Sequence, residues 1–199
     1  MSLRKYLDRF FNNPDPQFHS KVLISLGIGG FIGWKVSPSF MFNHTVISEV
    51  NTLRKNRYYT LFTSAFSEKD GLQVFFNSLG LWFFASQATY MLGAQGLYTL
   101  YFTGSLAQFL GVYYKSKYSS YNERSLPALT TQKAAVASVF TFYILNNPWS
   151  TVYLFIFPVP AILVGLLMIV MGNHENDNNA YLFGASGSLM IYLLTRFRR

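Results

Sequence analysis

Long uncharged runs of apolar residues alternate along the chain with short polar stretches. The clearest run is Thr151–Met171, TVYLFIFPVPAILVGLLMIVM, with 21 residues and no charge. Leu72–Leu92 and Ala94–Tyr114 are two more, separated only by Gly93. Val22–Phe42 is a fourth, interrupted by Lys35. Ala128–Leu145 is a fifth, with Lys133 near its start, and Ala180–Thr195 is the sixth and shortest. A helix needs about 20 mostly apolar residues to cross a bilayer. The pattern therefore predicts an all-α, polytopic membrane protein built as a bundle of six transmembrane helices. The short joint at Gly93 makes its two flanking runs an antiparallel pair. Pro158 and Pro160 fall inside the clearest run, where a membrane bundle tolerates them because neighbours satisfy the freed carbonyls. Six spans place both termini on one side.

The intervening segments divide the chain into a basic amphipathic stretch, residues 1–20, and a transmembrane domain, residues 21–199. The first stretch sets Leu3, Tyr6, Leu7, Phe10 and Phe11 on roughly one helical face, with Arg4, Lys5 and Arg9 around them. It reads as an interfacial helix, a mitochondrial targeting segment, or a basic tail ahead of the first span. Arg54, Lys55 and Arg57 lie in the first loop, and Lys115, Lys117 and Arg124 in the third. Arg196, Arg198 and Arg199 close the chain. Basic residues balance across the two predicted sides, so the positive-inside rule gives no orientation.

Composition sharpens the picture. The chain is 51% apolar and 19% aromatic, with only 12% charged residues, against about 25% in an average soluble domain. That excludes a disordered chain, a coiled coil and an ordinary soluble fold. The net charge is +8. The basic residues sit between apolar runs, so the expected partners are anionic lipid head groups, cardiolipin among them, rather than nucleic acid. Without Cys there are no disulfides, thiolate metal sites or Cys nucleophiles.

Candidate chemistry is sparse. Lys35 and Lys133 lie within predicted spans, where a charge snorkels to the interface or finds a polar partner in the bundle. Gly29 and Gly33 form a GxxxG, and Ala180, Gly184 and Ser188 a ladder of small residues; both read as helix-packing faces. Asn77 needs a hydrogen-bond partner, as an interhelical contact or as an oxyanion donor. His19, His44 and His174 fall in predicted loops or at span ends, and His174, Glu175 and Asp177 read as a solvated loop. No metal site and no cofactor are expected.

Four stretches carry a family likeness. RYYTLFTSAF, residues 57–66, looks like WR-x-x-TSAF, and FFNSLGLWFF, residues 75–84, looks like HxxxFN-x-x-x-LWFF. LNNPWSTVYLFIFPVPAILVGLL follows, and AYLFGASGSLMIYLL resembles a helix that usually reads AH-x-x-G-x-x-x-G. In this order they resemble the rhomboid superfamily, which includes intramembrane serine proteases, derlins and inactive relatives. The resemblance implies a Ser nucleophile in Gly-x-Ser-Gly on the fourth helix and a His base on the sixth. It also implies an Asn and a His on the second helix that hold the oxyanion. Here the Gly-x-Ser-Gly position reads Thr131-Gln132-Lys133-Ala134, so Lys133 stands where the nucleophile should be. The sixth-helix His falls on Tyr181, the second-helix His on Gln73, and the WR pair on Tyr59-Thr60. Only Asn77 matches. Gly184-Ala185-Ser186-Gly187 spells the motif literally but has no His after it.

The resemblance therefore implies a pseudoprotease with no enzyme activity. The expected role is a structural or protein-translocation-associated subunit of a larger membrane complex, with other membrane-protein subunits as partners, in the mitochondrial inner membrane. A derlin-like quality-control factor of the endoplasmic reticulum is the alternative. A hydrolase built on Ser186, paired with Lys133, is the enzyme-class alternative. A small-solute transporter lacks support, because no paired carboxylates sit within the spans.

Overall fold

The computed structural model describes residues 3–13, 15–118, 128–154, 157–172 and 179–196. Helix α1, Leu3–Phe11, leads into α2, Pro16–Val36. Asp15 caps α2 by accepting the Gln17 N–H at 2.9 Å, and Pro16 occupies the first turn, where its missing N–H costs nothing. The helix thus begins well before Val22, and the boundary expected between residues 20 and 21 falls inside it. Pro38 then ends it, since a proline cannot extend the hydrogen-bond ladder. The predicted run Val22–Phe42 is divided between α2 and a separate short helix, α3, Pro38–Thr45.

A π-helical turn, Glu49–Arg54, the short α4, Thr60–Thr63, and a 3-10 turn, Ser64–Phe66, lead to α5, Gly71–Tyr118. Gly93 breaks α5 into two arms with φ 72° and ψ 171°, a conformation open essentially to glycine alone. Helix α6, Gln132–Asn146, fixes the direction of each arm. Along the first arm, Phe84 meets both Phe140 and Tyr143, and Asn147 reaches Met91. Along the second, Ser138 bonds the Leu100 carbonyl and Thr131 bonds Ser105. The first arm runs with α6 and the second against it, so the arms are the expected antiparallel pair.

Thr151–Met171 is not one helix. Strands β1, Thr151–Leu154, and β2, Phe157–Pro160, pair antiparallel, and only then does α7, Ala161–Gly172, begin. Pro158 and Pro160 supply no N–H, and in a two-stranded sheet every strand is an edge, where proline is accepted. The β-branched and aromatic residues before them favour the extended chain over the helix.

Helix α8, Ala180–Arg196, packs alongside α6 and runs with it. Every residue from Thr131 to Phe140 is buried, so α6 is the core helix, enclosed chiefly by α5 and α8. The start of α2, the turn at Gly93, the end of α6 and the end of α8 share one end of the bundle. The starts of α5, α6 and α8 share the other. Among the described residues, no helix is long and apolar enough to cross a membrane. Helices α6, α7 and α8 have only 15, 12 and 17 residues. The long helices α2 and α5 are diluted by Gly, Ser, Thr and amide side chains. Six separate spans, as read from apolar runs, are therefore not reproduced as six such helices.

Candidate functional site

The far end of the bundle gathers the positions that the sequence singled out. Thr131, at the cap of α6, bonds Ser64 Oγ at 2.8 Å and Ser105 Oγ at 2.5 Å through its hydroxyl. Its backbone N–H donates to the Ser64 carbonyl at 3.1 Å. The TSAF turn, the second arm of α5 and the start of α6 are thereby fastened at one point, and Lys133 follows two residues on. Lys133 is buried, only 8% exposed.

Facing it is Glu68, also buried, from the segment before α5. Glu68 Oε1 accepts the backbone N–H groups of Lys69 at 2.9 Å and Asp70 at 3.4 Å. Burial pushes its carboxyl above the ordinary value, and the positive charge of Lys133 opposes that rise.

The second-helix and sixth-helix positions also meet. Gln73 Nε2 donates to the Tyr181 hydroxyl at 2.8 Å, and lies 3.4 Å from Asn77 Oδ1. The Tyr181 ring packs against Phe140 with centroids 6.4 Å apart. Asn77 is buried, and its Nδ2 has no hydrogen-bond partner among the described residues. An amide thus meets a phenol at the two positions where the sequence resemblance implies imidazoles. Lys133 presents an amine where the resemblance implies a serine hydroxyl.

Ser186 lies elsewhere. It is exposed on α8, and its hydroxyl donates back to the Phe183 carbonyl at 2.8 Å. Its neighbours Gly184, Gly187 and Ser188 face inward.

Ala180, Gly184 and Ser188 are all buried. A Cβ on Gly184 would sit 2.7 Å from Ala137 Cβ and would also strike the Ala134 carbonyl oxygen, so this face is where α8 closes on α6. The pair on α2 divides. Gly33 meets Met41 of α3, whereas nothing lies within 4 Å of a Cβ built on Gly29. Lys35 is exposed, with its ammonium 5.2 Å from the Phe31 ring centroid.

Arg4, Lys5 and Arg9 are exposed on α1, Lys115 and Lys117 at the end of α5, and Arg196 at the end of α8. Arg124, Arg198 and Arg199, and the loop with His174, Glu175 and Asp177, lie outside the described residues. His19 is no loop residue. It is fully buried in the first turns of α2, with Nδ1 3.3 Å from the Tyr98 hydroxyl and its ring against Phe10 and Phe18. His44 bonds the Tyr59 hydroxyl at 2.7 Å. No cluster of three metal-ligating side chains occurs among the described residues. Glu68 and the Ser64–Thr131–Ser105 network escaped the sequence reading. Only TSAF, already visible as a motif, pointed toward them.

Comparison with known proteins gives the family. The Rhomboid domain family model matches residues 55–197. RHOMBOID-like protein 12, mitochondrial, from Arabidopsis thaliana is 31% identical over 185 residues, covering 82% of this chain and 54% of that protein. The chain spans about half the length of that relative. It belongs to the rhomboid family, a family of integral membrane proteins.

Proposed function

We propose that this chain is a catalytically inactive rhomboid-family protein, serving as a structural or protein-translocation-associated subunit of a larger complex in the mitochondrial inner membrane. One observation carries the proposal: the Gln73–Tyr181 hydrogen bond, 2.8 Å long, occupies the place of the base and the oxyanion-binding His. Lys133 stands at the family's nucleophile position and Tyr181 at its base position, so the Ser–His pair on which the family's mechanism depends is missing from those two places. The literal Gly-x-Ser-Gly gives no substitute, because Ser186 points out of the bundle and no imidazole faces it among the described residues.

Binding is the role that remains for the fold. Gly29 leaves a bare strip on α2, between exposed Leu26, Ile28 and Ile32. A neighbouring helix in lipid associates through close approach of this kind, since lipid offers no hydrophobic driving force. Exposed Arg4, Lys5, Arg9, Lys115, Lys117 and Arg196 suit acidic subunits or anionic lipid such as cardiolipin. The mitochondrial placement draws on the relative named above.

Two measurements test the reading. A fluorophosphonate probe should leave the purified protein unlabelled; labelling that disappears in Ser186→Ala would overturn inactivity. Digitonin extraction and native electrophoresis should place the protein in an assembly far larger than its own 22.7 kDa. Migration as a monomer alone, under conditions that keep other complexes intact, would remove the subunit role.

A further inference from the structure

At the end of the bundle that holds the Gly93 turn, a recess of about 240 Å³ opens between α5, α6 and α8. Its inner wall is apolar: Met91 and Leu92 end the first arm of α5, and Phe142 comes from α6. Its mouth is polar, with Asn146 on one side and Thr195 and Arg196 on the other. Arg196 is held there by Tyr192. A guanidinium nitrogen donates to the tyrosine hydroxyl, and the guanidinium lies 5.7 Å from the ring centroid. That contact uses one nitrogen of the fork and leaves the other guanidinium N–H groups without a hydrogen-bond partner among the described residues. No carboxylate pairs with Arg196 among the described residues. Asn146 uses one amide hydrogen on the Phe142 carbonyl, at 2.8 Å, and keeps the second. The recess thus offers a fixed positive charge and an amide donor above an apolar wall.

The surroundings say what such a recess meets. Tyr90 and Trp149, 85% and 79% exposed, stand at this same end. Highly exposed Trp and Tyr at one level of a membrane protein mark the head-group region. Lys21 lies here too, at the start of α2, and α1 with Arg4, Lys5 and Arg9 docks beside it through Phe10 and Phe11 on Tyr98.

We propose that this recess binds the phosphate of an anionic phospholipid. Arg196 and Asn146 donate to the phosphate oxygens, and the glycerol and first acyl carbons lie on Met91, Leu92 and Phe142. A free phosphate ion shares the polar half of this chemistry but makes no use of the apolar wall, which selects the lipid. The inference deepens the membrane-subunit reading above, on which it rests for placing this end at the head-group level.

The full-length protein, purified in mild detergent and stripped of lipid, is offered phosphatidylglycerol, phosphatidylcholine or inorganic phosphate and examined by native mass spectrometry. One phosphatidylglycerol should be retained; phosphatidylcholine, whose choline cation meets the positive charge of Arg196 and its basic neighbours, should be held markedly less, and inorganic phosphate not at all. Loss of a charge-assisted hydrogen bond in Arg196→Gln should weaken retention about tenfold. Thr195→Trp fills the recess and keeps the charge, and should weaken it to a similar degree. Lys115→Gln, at the opposite end, should leave it unchanged. Equal retention of phosphatidylcholine, retention of phosphate, or full retention in Thr195→Trp would each overturn the proposal. Loss of lipid selectivity with the large native assembly intact would count against the recess alone. A lone monomer that still holds its phosphatidylglycerol would count against the subunit role alone.

Discussion

Gly104 and Gly184 close on one backbone oxygen, that of Ala134, from two different helices. A Cβ on either would strike it, and a Cβ on Gly104 would also stand 2.6 Å from Ser138 Cβ. The first turns of α6 are therefore clamped between the second arm of α5 and α8, directly above Lys133. Gly184→Ala is expected to lower stability by about 1–3 kcal/mol, the usual cost of overpacking a fitted contact. Thermal unfolding in detergent would show it. The opposite is expected of Gly29→Ala, where nothing lies within 4 Å. There the gain in helix propensity is up to about 1 kcal/mol.

Gly93 is required for a different reason. A Cβ there has open space around it, but φ 72° with ψ 171° is strained for any other residue. Gly93→Ala should cost about 1–3 kcal/mol through the backbone alone. Gly93→Asn should do no better, since this ψ lies outside the left-handed helical region that asparagine tolerates. Equal stability of wild type and Gly93→Ala would show that the arms are joined in some other way.

Tyr181→Phe removes the acceptor of the Gln73 amide and leaves the ring against Phe140. Interhelical hydrogen bonds within membrane bundles contribute about 0.5–2 kcal/mol. A loss of that size is expected in unfolding experiments. In a double-mutant cycle with Gln73→Leu, the two losses should fail to add, because both remove the same bond.

Glu68 gives the fold a pH dependence. Its carboxyl is raised above the ordinary value of 4.5 by burial, against the attraction of Lys133 and with the repulsion of Asp70. The neutral acid therefore suits the folded state better than the carboxylate. The stability this group contributes is complete below the ordinary value and is lost as pH climbs through the raised one. Glu68→Gln keeps an oxygen for the N–H groups of Lys69 and Asp70 and carries no charge. It should match wild type in acid and exceed it above neutrality, as followed by melting temperature against pH. A variant less stable than wild type across the whole range would contradict this.

The order of helices was readable where one residue dominates its surroundings. Gly93 marks the turn between two apolar runs, and the run of motifs picks out Gln73 and Tyr181, which are hydrogen-bonded to each other. Hydropathy alone misled at Thr151–Met171, because an uncharged run does not distinguish a strand from a helix. TVYLFIF with two following prolines already favoured the strand. Asp15-Pro16 is a helix-start signal in the sequence, and it puts His19 inside α2 rather than in a loop. Glu68 was not legible by any such rule. Its burial depends on how the segment before α5 lies against the start of α6, which no local pattern encodes.

The enclosure of α6 bears on how the protein is made. Its sequence, QKAAVASVFTFYILN, is rich in small and polar residues and includes a lysine, so it partitions poorly into lipid alone. It has no need to, because its neighbours cover it on every side from Thr131 to Phe140. One of those neighbours, α8, follows α6 in the chain and is translated after it. During biosynthesis α6 must therefore wait, held by the α5 arms or by an insertion factor, until α8 arrives to seal it in.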